Sequence, residues 1–319
     1  MTADVRGLVI VALALGQAVL LAVLAPYVLG LTRAVRARLE GRAGGRLGQP
    51  WRDLRKLLRK GPTSPADASL VFVAAPPVLM ATSIVVAGAA PFVATASVAG
   101  RADLIVVVGL LLLGTVALAL AGLDTGTAFG GMGASREMTI AALVEPTLLL
   151  SVFALSVRVG STDLATIVSA GATDPASVFT PASALAAAAL AIATLAEGGR
   201  IPVDNPSTHL ELTMVHEAMV LEYSGRDLAL VEWASSLRLT ILLGLLANLF
   251  VPWGVATALT PIGVLIGAAV FVVKVGLLAV ALAVGEVFTA KLRLFRVPEL
   301  LAGSFALALL AVLAAAVLG

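Results

Sequence analysis

The chain has 319 residues, of which 60% are hydrophobic and 13% charged, with a net charge of +2 and a mean hydropathy of +1.06. Soluble domains are about half apolar and about a quarter charged, so this composition excludes an ordinary soluble protein and predicts an all-α integral membrane protein. The absence of cysteine excludes disulfides, iron-sulfur clusters and thiolate metal sites within the chain.

Eight apolar segments predict eight transmembrane helices in a single membrane domain, residues 1–319. A span needs about 20 mostly apolar residues, and its backbone must satisfy its own hydrogen bonds. The segments are 5–31, 69–91, 102–124, 136–159, 179–199, 236–258, 262–290 and 298–319. Two long loops, 33–68 and 200–235, separate some of them.

The basic residues predict the orientation of the chain. Segment 33–60 alone holds ten of the 21 lysines and arginines. Seven more fall on the same predicted face: Arg136, Arg200, Arg226, Arg238, Lys291, Arg293 and Arg296. Basic residues stay on the cytoplasmic side of a membrane, so we expect both termini outside and the two long loops in the cytoplasm.

The basic segment ends in "QPWRDLRKLLRKG", where apolar residues recur at helical spacing. Trp51, Leu54, Leu57 and Leu58 form this pattern, with arginines and lysines between them. It predicts a short helix lying along the lipid headgroups. Two roles stay open for it: a topology signal that binds anionic lipid, and a docking surface for a cytoplasmic subunit.

The fourth span, "GMGASREMTIAALVEPTLLL", carries acids. Glu145 lies about 13 Å beyond Arg136 along a helix that rises 1.5 Å per residue, which places it within the hydrocarbon layer. Such an acid faces a bundle interior or a water-filled path, or is neutral and hydrogen-bonded to a neighbouring helix. Glu137, nearer the face, is predicted to be a capping or interfacial acid.

Two further charges lie in the seventh span. Lys274 falls near the middle of the bilayer and Glu286 near the cytoplasmic end. A buried ammonium needs a carboxylate partner or a lowered pKa, and Glu145 is the candidate partner of Lys274. We assign Lys274 to an ion path in preference to a purely structural ion pair.

The stretch "EGGRIPVDNPSTHLELTMVHE", residues 197–217, gathers acids and both histidines of the chain. Glu197 ends the fifth span, and a new helix is predicted to begin with a cap at 205–207. Glu211 and Glu222 would share one face of that helix, and His209 and His216 another. The apolar flank "LTMVHEAMVL" indicates an embedded helix, so these acids are interpreted as a chain of protonatable sites at the membrane edge.

A zinc-protease site is not expected in this stretch. "HEAMV" begins like the metalloprotease motif, but Val220 stands where the second histidine is required.

Four stretches carry a resemblance to a known family: "LEGRAGGRLGQPWRDLRKLLRKG", "GMGASREMTIAALVEPTLLL", "AEGGRIPVDNPSTHLELTMVHEAMVLEYSG" and "AKLRLFRVPELL". The chain resembles the complex I subunit 1 family, in the branch that anchors energy-converting nickel-iron hydrogenases and formate hydrogenlyase (its subunit 4). Respiratory complex I usually has further acids after the loop aspartate, where this sequence has Ser207 and His209. This departure favours the hydrogenase-type branch.

The resemblance implies a subunit with no cofactor of its own in the inner (cytoplasmic) membrane of a prokaryote. It implies hydrogenase-like large and small subunits at the cytoplasmic face, which carry a nickel-iron centre and iron-sulfur clusters, and antiporter-like membrane subunits. The resemblance implies no nucleic-acid partner. The subunit would couple redox change to the translocation of protons or sodium ions.

The resemblance also assigns residues by position. Five acids would form the path between redox site and ion pumps: Glu145, Glu197, Asp204, Glu211 and Glu222. Arg200 would hold the loop, and Asp53 with Lys56 would match the family's interfacial helix. To the path we add Glu217, His216 and Lys274, and to the loop and interface residues Glu137 and Glu286.

Three other functions stay open at this point. The chain would be the quinone-site subunit of respiratory complex I if the loop covers a quinone, or a stand-alone secondary transporter, in which paired mid-membrane charges are also typical. It would be a mere anchor if the acids are only structural. No pair of matching broken helices in two halves supports the transporter.

Overall fold

The computed structural model describes residues 3–65, 67–95, 102–204 and 214–318. In these ranges the regular structure is helical, which confirms the all-α class. The helices are α1 (Ala3–Leu39), α2 (Gln49–Leu58), α3 (Leu70–Ala89), α4 (Leu104–Asp124), α5 (Ala128–Val159), α6 (Leu164–Thr173), α7 (Pro175–Val178), α8 (Pro181–Glu197), α9 (His216–Val220), α10 (Gly225–Phe250), α11 (Pro261–Phe288) and α12 (Val297–Leu318). A short 3₁₀-helix, Leu294–Arg296, precedes α12.

Seven helices within the described ranges are long and apolar enough to cross a membrane: α1, α3, α4, α5, α10, α11 and the segment containing α12. The fifth predicted span is α8, a shorter apolar helix of 17 residues. A helix of this length is at the lower end of what a bilayer requires, about 17 to 25 residues. It packs between α5 and α12.

Two helices begin earlier than their apolar segments predicted. α5 starts at Ala128 instead of 136, and α10 starts at Gly225 instead of 236. The predicted cytoplasmic loop 200–235 is therefore too long, because residues 225–235 belong to α10. The turns added to α10 carry Glu232 and Ser235, which line a cavity, and those added to α5 are rich in glycine. Neither stretch therefore has the apolar composition by which a span is predicted.

Prolines inside the long helices create contacts between helices. Pro26 has no N–H, which leaves the Ala22 carbonyl of α1 without its helical donor, and the Trp233 indole of α10 donates to it at 2.8 Å. In α3, Pro76 frees the Phe72 carbonyl in the same way, and the Tyr223 hydroxyl donates to it at 2.7 Å. Aromatic donors thus hold α10 and the turn before it against α1 and α3.

Two glycines allow the short helix α9 to lie close to α4 and α5. A Cβ at Gly133 would lie 2.9 Å from the Ala218 Cβ, and one at Gly122 would lie 3.2 Å from the Met219 Cγ. Both distances are below ordinary van der Waals contact. Larger residues at these glycines would push α9 away from the bundle, and with it the side chains that α9 presents.

Candidate functional site

A central cavity of about 470 Å³ lies among α1, α4, α5, α8, α9, α10 and α11. Its lining is strongly charged. The ionisable lining residues are Arg33, Arg36, Arg42, Glu137, Glu197, Arg200, Asp204, His216, Glu217, Glu232, Arg238 and Glu286. The cavity therefore brings together most of the residues that the sequence pattern assigned to an ion path or an interface.

The inner end of the cavity is an ion pair between Glu197 and Arg238, in which the guanidinium donates to the carboxylate. Arg238 also donates to the Thr115 hydroxyl at 2.7 Å and to the Leu111 carbonyl at 2.9 Å. Thr115 lies near the midpoint of α4, so Glu197 is deep in the bundle. The predicted place at the membrane edge is wrong, because the short helix α8 ends halfway along its longer neighbours.

The loop after α8 is held by two further ion pairs. Arg200 donates to Glu286 at 3.4 Å, and the same carboxylate lies 3.7 Å from Arg36 of α1. Asp204 accepts from Lys291 at 2.9 Å. Burial lowers the pKa of Arg200, while the Glu286 charge acts in the opposite direction. These contacts join the loop to the ends of α1 and α11.

Glu137 and Glu145 both lie on α5 but in different surroundings. Glu137 is well inside the helix and lines the central cavity, so the predicted capping or interfacial role is wrong. Glu145 lies two turns deeper and is 5% exposed. Neither of its carboxyl oxygens has a hydrogen-bond partner among the described residues, nor does the Thr194 hydroxyl on the neighbouring helix α8.

Lys274 lies away from these acids. Its ammonium donates to the Asn248 side-chain oxygen at 3.2 Å and also to the Val251 carbonyl. The predicted pairing with Glu145 is wrong, because α11 packs on α1 and α10, whereas α5 packs mainly on α4, α8 and α12.

His216 begins α9, and its Nε2 lies 3.3 Å from the Ser235 hydroxyl of α10. Burial lowers the pKa of this histidine, and the nearby Glu232 and Asp204 charges partly oppose that shift. Glu217, the next residue, also lines the cavity.

Glu222, a further acid of this region, does not lie on a helix. α9 ends at Val220, so Glu222 lies in an exposed turn, and its predicted position on an embedded helical face is wrong. Gly225, with φ +54°, ends that turn, where a Cβ would meet the Gly61 carbonyl oxygen at 2.3 Å. Glu211 and His209 lie outside the described residues.

The basic segment after α1 contains the predicted short helix, α2, with Asp53 and Lys56 exposed. Gln49 donates to Asp53 at 2.9 Å. Trp51 donates to the Val23 carbonyl of α1 at 3.1 Å and packs edge-on against Trp233, with ring centroids 5.4 Å apart. α2 is thus fixed against α1 and α10.

Two residues of the site have no role in the sequence-based assignment. Glu232 had none, and Arg238 was counted only as a topology signal, although "SSLRLTILLG" places it alone in an apolar run. A single charge in an apolar run indicates a functional residue, and this signal could have identified Arg238 from the sequence. In the part of the chain that the structure describes, no three acids or histidines are grouped as a metal site.

Comparison with known proteins supports the resemblance. The chain is 37% identical over 303 residues to hydrogenase-4 component C of Escherichia coli strain K12, with 95% of each chain covered. It is 34% identical to formate hydrogenlyase subunit 4 of the same organism, covering 92% of this chain and 95% of that one. It is 32% identical to a subunit of the NADH-quinone oxidoreductase of Syntrophobacter fumaroxidans, with 73% of each chain covered.

A solved structure shares the fold. The chain superposes on a subunit of an archaeal respiratory membrane complex, the membrane-bound sulfane sulfur reductase, with a TM-score of 0.81. The match covers 98% of this chain and 99% of that one at 21% identity. The family model described as NADH dehydrogenase matches residues 10–317. The chain therefore belongs to the NADH dehydrogenase family of complex I subunit 1-like membrane proteins, in its hydrogenase-type branch.

Proposed function

We propose that this protein is the membrane subunit of a complex I-like energy-converting hydrogenase, which anchors the electron-transfer arm and couples its redox reaction to proton or sodium translocation. The observation that carries the proposal is the charged central cavity. Its lining runs from the basic end of α1 to the Glu197–Arg238 pair at mid-helix depth.

The physical basis of coupling is the weak screening of charge inside the bundle. Reduction of a partner at the basic end adds negative charge near Arg36 and Arg42. Arg36 faces Glu286, which also contacts Arg200. A change of charge at the basic end of the cavity therefore alters the balance of these ion pairs. At low effective dielectric the acids further in respond by binding or releasing protons.

The path continues from the cavity toward Glu145. Glu137 lines the cavity, and Glu145 lies two turns deeper on the same helix, about 12 Å along its axis. A buried carboxyl with no hydrogen-bond partner among the described residues is suited to accept a proton, because no fixed contact opposes its change of charge. From there ions would pass to antiporter-like partner subunits.

The proposal includes the partners and the orientation. Hydrogenase-like large and small subunits, which hold the nickel-iron centre and the iron-sulfur clusters, dock at the cytoplasmic face. The protein lies in the prokaryotic inner membrane with both termini outside. No cofactor is assigned to this chain.

The first test is purification of the tagged protein in mild detergent, followed by identification of its partner subunits and their nickel and iron content. We expect nickel together with hydrogenase-like and antiporter-like subunits. A metal-free protein without partners would instead favour a stand-alone transporter.

The second test measures ions moved per electron in proteoliposomes that contain the purified complex. Glu197→Gln should lower this ratio while electron transfer continues, because the acid at the inner end of the cavity can no longer change charge. Glu299→Gln is the matched control, since Glu299 lies at the start of α12 and does not line the cavity. An unchanged ratio in Glu197→Gln would contradict the proposal.

A quinone-reducing subunit is the second candidate function. The cavity volume lies within the range of about 300 to 1,000 Å³ that small-molecule sites occupy. Inhibition of electron transfer by quinone analogues would favour this function, and insensitivity would favour the hydrogenase.

A further inference from the structure

A second, smaller cavity of about 150 Å³ lies between α1, α2 and α10, and we call it the side cavity. It adjoins the central cavity, because four residues line both: Leu29, Arg33, Glu232 and Ser236. Its opposite wall is formed by Pro50, Asp53, Leu54 and Leu57 of α2. The side cavity thus extends from the central cavity toward the exposed helix α2.

Glu232 occupies the junction of the two cavities. Its carboxyl group forms no hydrogen bond or ion pair with any other described residue. The charged groups that share a cavity wall with it and act on it electrostatically include His216 and Glu217 of α9, Arg33 of α1 and Asp53 of α2. A carboxylate with water-sized space on both sides and no fixed donor is able to exchange protons with either side.

His216 lies on the central side of this junction. Its Nε2 is 3.3 Å from the Ser235 hydroxyl, three residues beyond Glu232 on α10. Residues three apart are neighbours on a helix surface, so the imidazole lies beside the same face as the Glu232 carboxyl. His216 is therefore placed to exchange a proton with Glu232.

Asp53 lies at the other end of the side cavity. It is exposed on α2, and its one carboxyl hydrogen bond among the described residues comes from Gln49 at 2.9 Å. The Trp51–Trp233 contact holds α2 against α10, so the spacing between Asp53 and Glu232 is fixed by packing. A cavity of this size has room for several water molecules, each occupying about 30 Å³ in the liquid.

We propose that Asp53, Glu232 and His216 form a proton-transfer branch that connects the α2 surface with the central cavity through water in the side cavity. A proton taken up by the Asp53 carboxylate passes through this water to the Glu232 carboxylate and then to the His216 imidazole, and Asp53 is left ready to take up the next. No bond other than those to the proton forms or breaks. The inference rests on the proposed function for its purpose, which is to supply the coupling acids.

The branch is tested by infrared spectroscopy of the full protein, purified with its partner subunits and reconstituted in nanodiscs. On transfer to D₂O at mildly acidic pH, the C=O band of a protonated carboxyl shifts as the group deuterates. We expect Glu232→Gln to remove one such band. Asp53→Asn should keep that band but slow its deuteration about tenfold or more, a loss typical of removing a positioned proton-transfer group.

The control is Asp227→Asn, which alters an acid on the same helix that lines neither cavity. It should leave both the band and its rate of deuteration unchanged. The Asp53→Asn/Glu232→Gln double variant shows in addition whether a slowed band belongs to Glu232. A Glu232 band that deuterates at the wild-type rate in Asp53→Asn overturns the branch, as does a spectrum with no exchangeable band that Glu232→Gln removes.

These measurements require no ion translocation. A failure of the proposed function would appear as an unchanged ion-to-electron ratio in Glu197→Gln. A failure of the branch would appear only in the infrared spectra, as an unslowed deuteration in Asp53→Asn or as a missing Glu232 band, so the two results can be told apart.

Discussion

The chain buries polar and charged groups in two regions that differ in how these groups are satisfied. At the central cavity, two carboxyl groups lack fixed hydrogen-bond donors among the described residues. Glu232 lies in the cavity wall, and Glu145 lies two turns beyond the cavity-lining Glu137 on α5. In the second region, which we call the helix-end cluster, Gln17, Asn248 and Lys274 bond to backbone groups where α3 and α10 end. Gln17 donates to the Ala87 and Ala90 carbonyls at 2.7 Å.

The helix-end cluster has a simple physical purpose. The last carbonyls of a helix have no intrahelical donor, and in an apolar bundle water does not replace it. Asn248 donates to the Pro91 and Phe92 carbonyls at 2.9 Å each, and Lys274 donates to Val251 just after α10. A group held in this way stabilises the fold.

From this difference we propose a structural role for Lys274 and a change of charge at the acids of the cavity. A charge within a membrane helix is thus not by itself evidence of an ion path. The kind of partner also differs: Lys274 bonds to a backbone carbonyl and an amide, whereas Glu197 pairs with Arg238, a charged side chain of the same cavity. The predictions below test this contrast.

The largest effect is expected from Arg238→Gln. The substitution leaves Glu197 buried at 3% exposure without its ion pair, which should cost about 3 to 5 kcal/mol in the free energy of unfolding. Thermal unfolding of the purified complex in detergent measures it, with the exposed Arg226→Gln on the same helix as control. The Glu197→Gln/Arg238→Gln double variant should recover part of the loss; equal losses in Arg226→Gln and Arg238→Gln would refute the prediction.

A smaller loss is expected from Asn248→Leu in the helix-end cluster. It leaves the Pro91 and Phe92 carbonyls without their donor and removes one of the acceptors of Lys274, which should cost about 1 to 3 kcal/mol of stability. The ratio of ions to electrons in assembled complexes should stay at the wild-type value, and Lys274→Met should behave likewise. A lowered ratio in Lys274→Met at normal stability would return this lysine to the ion path.

Trp233→Phe tests the proline contact between α1 and α10. Loss of the indole donor to the Ala22 carbonyl should cost about 1 kcal/mol. In a Pro26→Ala background the cost should be smaller, because the substituted alanine supplies the missing N–H from within the helix. A double-mutant cycle in the free energy of unfolding measures this coupling. Equal costs in both backgrounds would mean that the freed Ala22 carbonyl is not the reason why the Trp233 indole stabilises the protein.

The smallest effect is expected from the pH dependence of stability at His216. Burial lowers its folded pKa below the ordinary value of 6.5, so the unfolded chain binds the proton more readily. The stability contribution is complete above pH 6.5 and falls as the pH decreases below it. His216→Gln should therefore flatten the stability curve in the range below pH 6.5. A curve parallel to the wild type in that range would contradict the assignment.

The composition of the chain was sufficient to establish the all-α membrane fold, because apolar runs of span length have no other stable arrangement in lipid. The quoted motifs also identified the family and named most of the acids of the cavity. The amphipathic pattern of "QPWRDLRKLLRKG" predicted α2. These features depend on the spacing of residue types along a single helix, which the sequence contains in full.

The tertiary structure alone determined which charges meet. Glu197 pairs with Arg238 because the short helix α8 ends beside the middle of α4 and α10, a relation that no local pattern encodes. Lys274 faces Asn248 instead of Glu145 because α11 and α5 lie on different sides of the bundle. Partners in a helical membrane protein depend on helix order and depth, and these follow from packing across the whole chain.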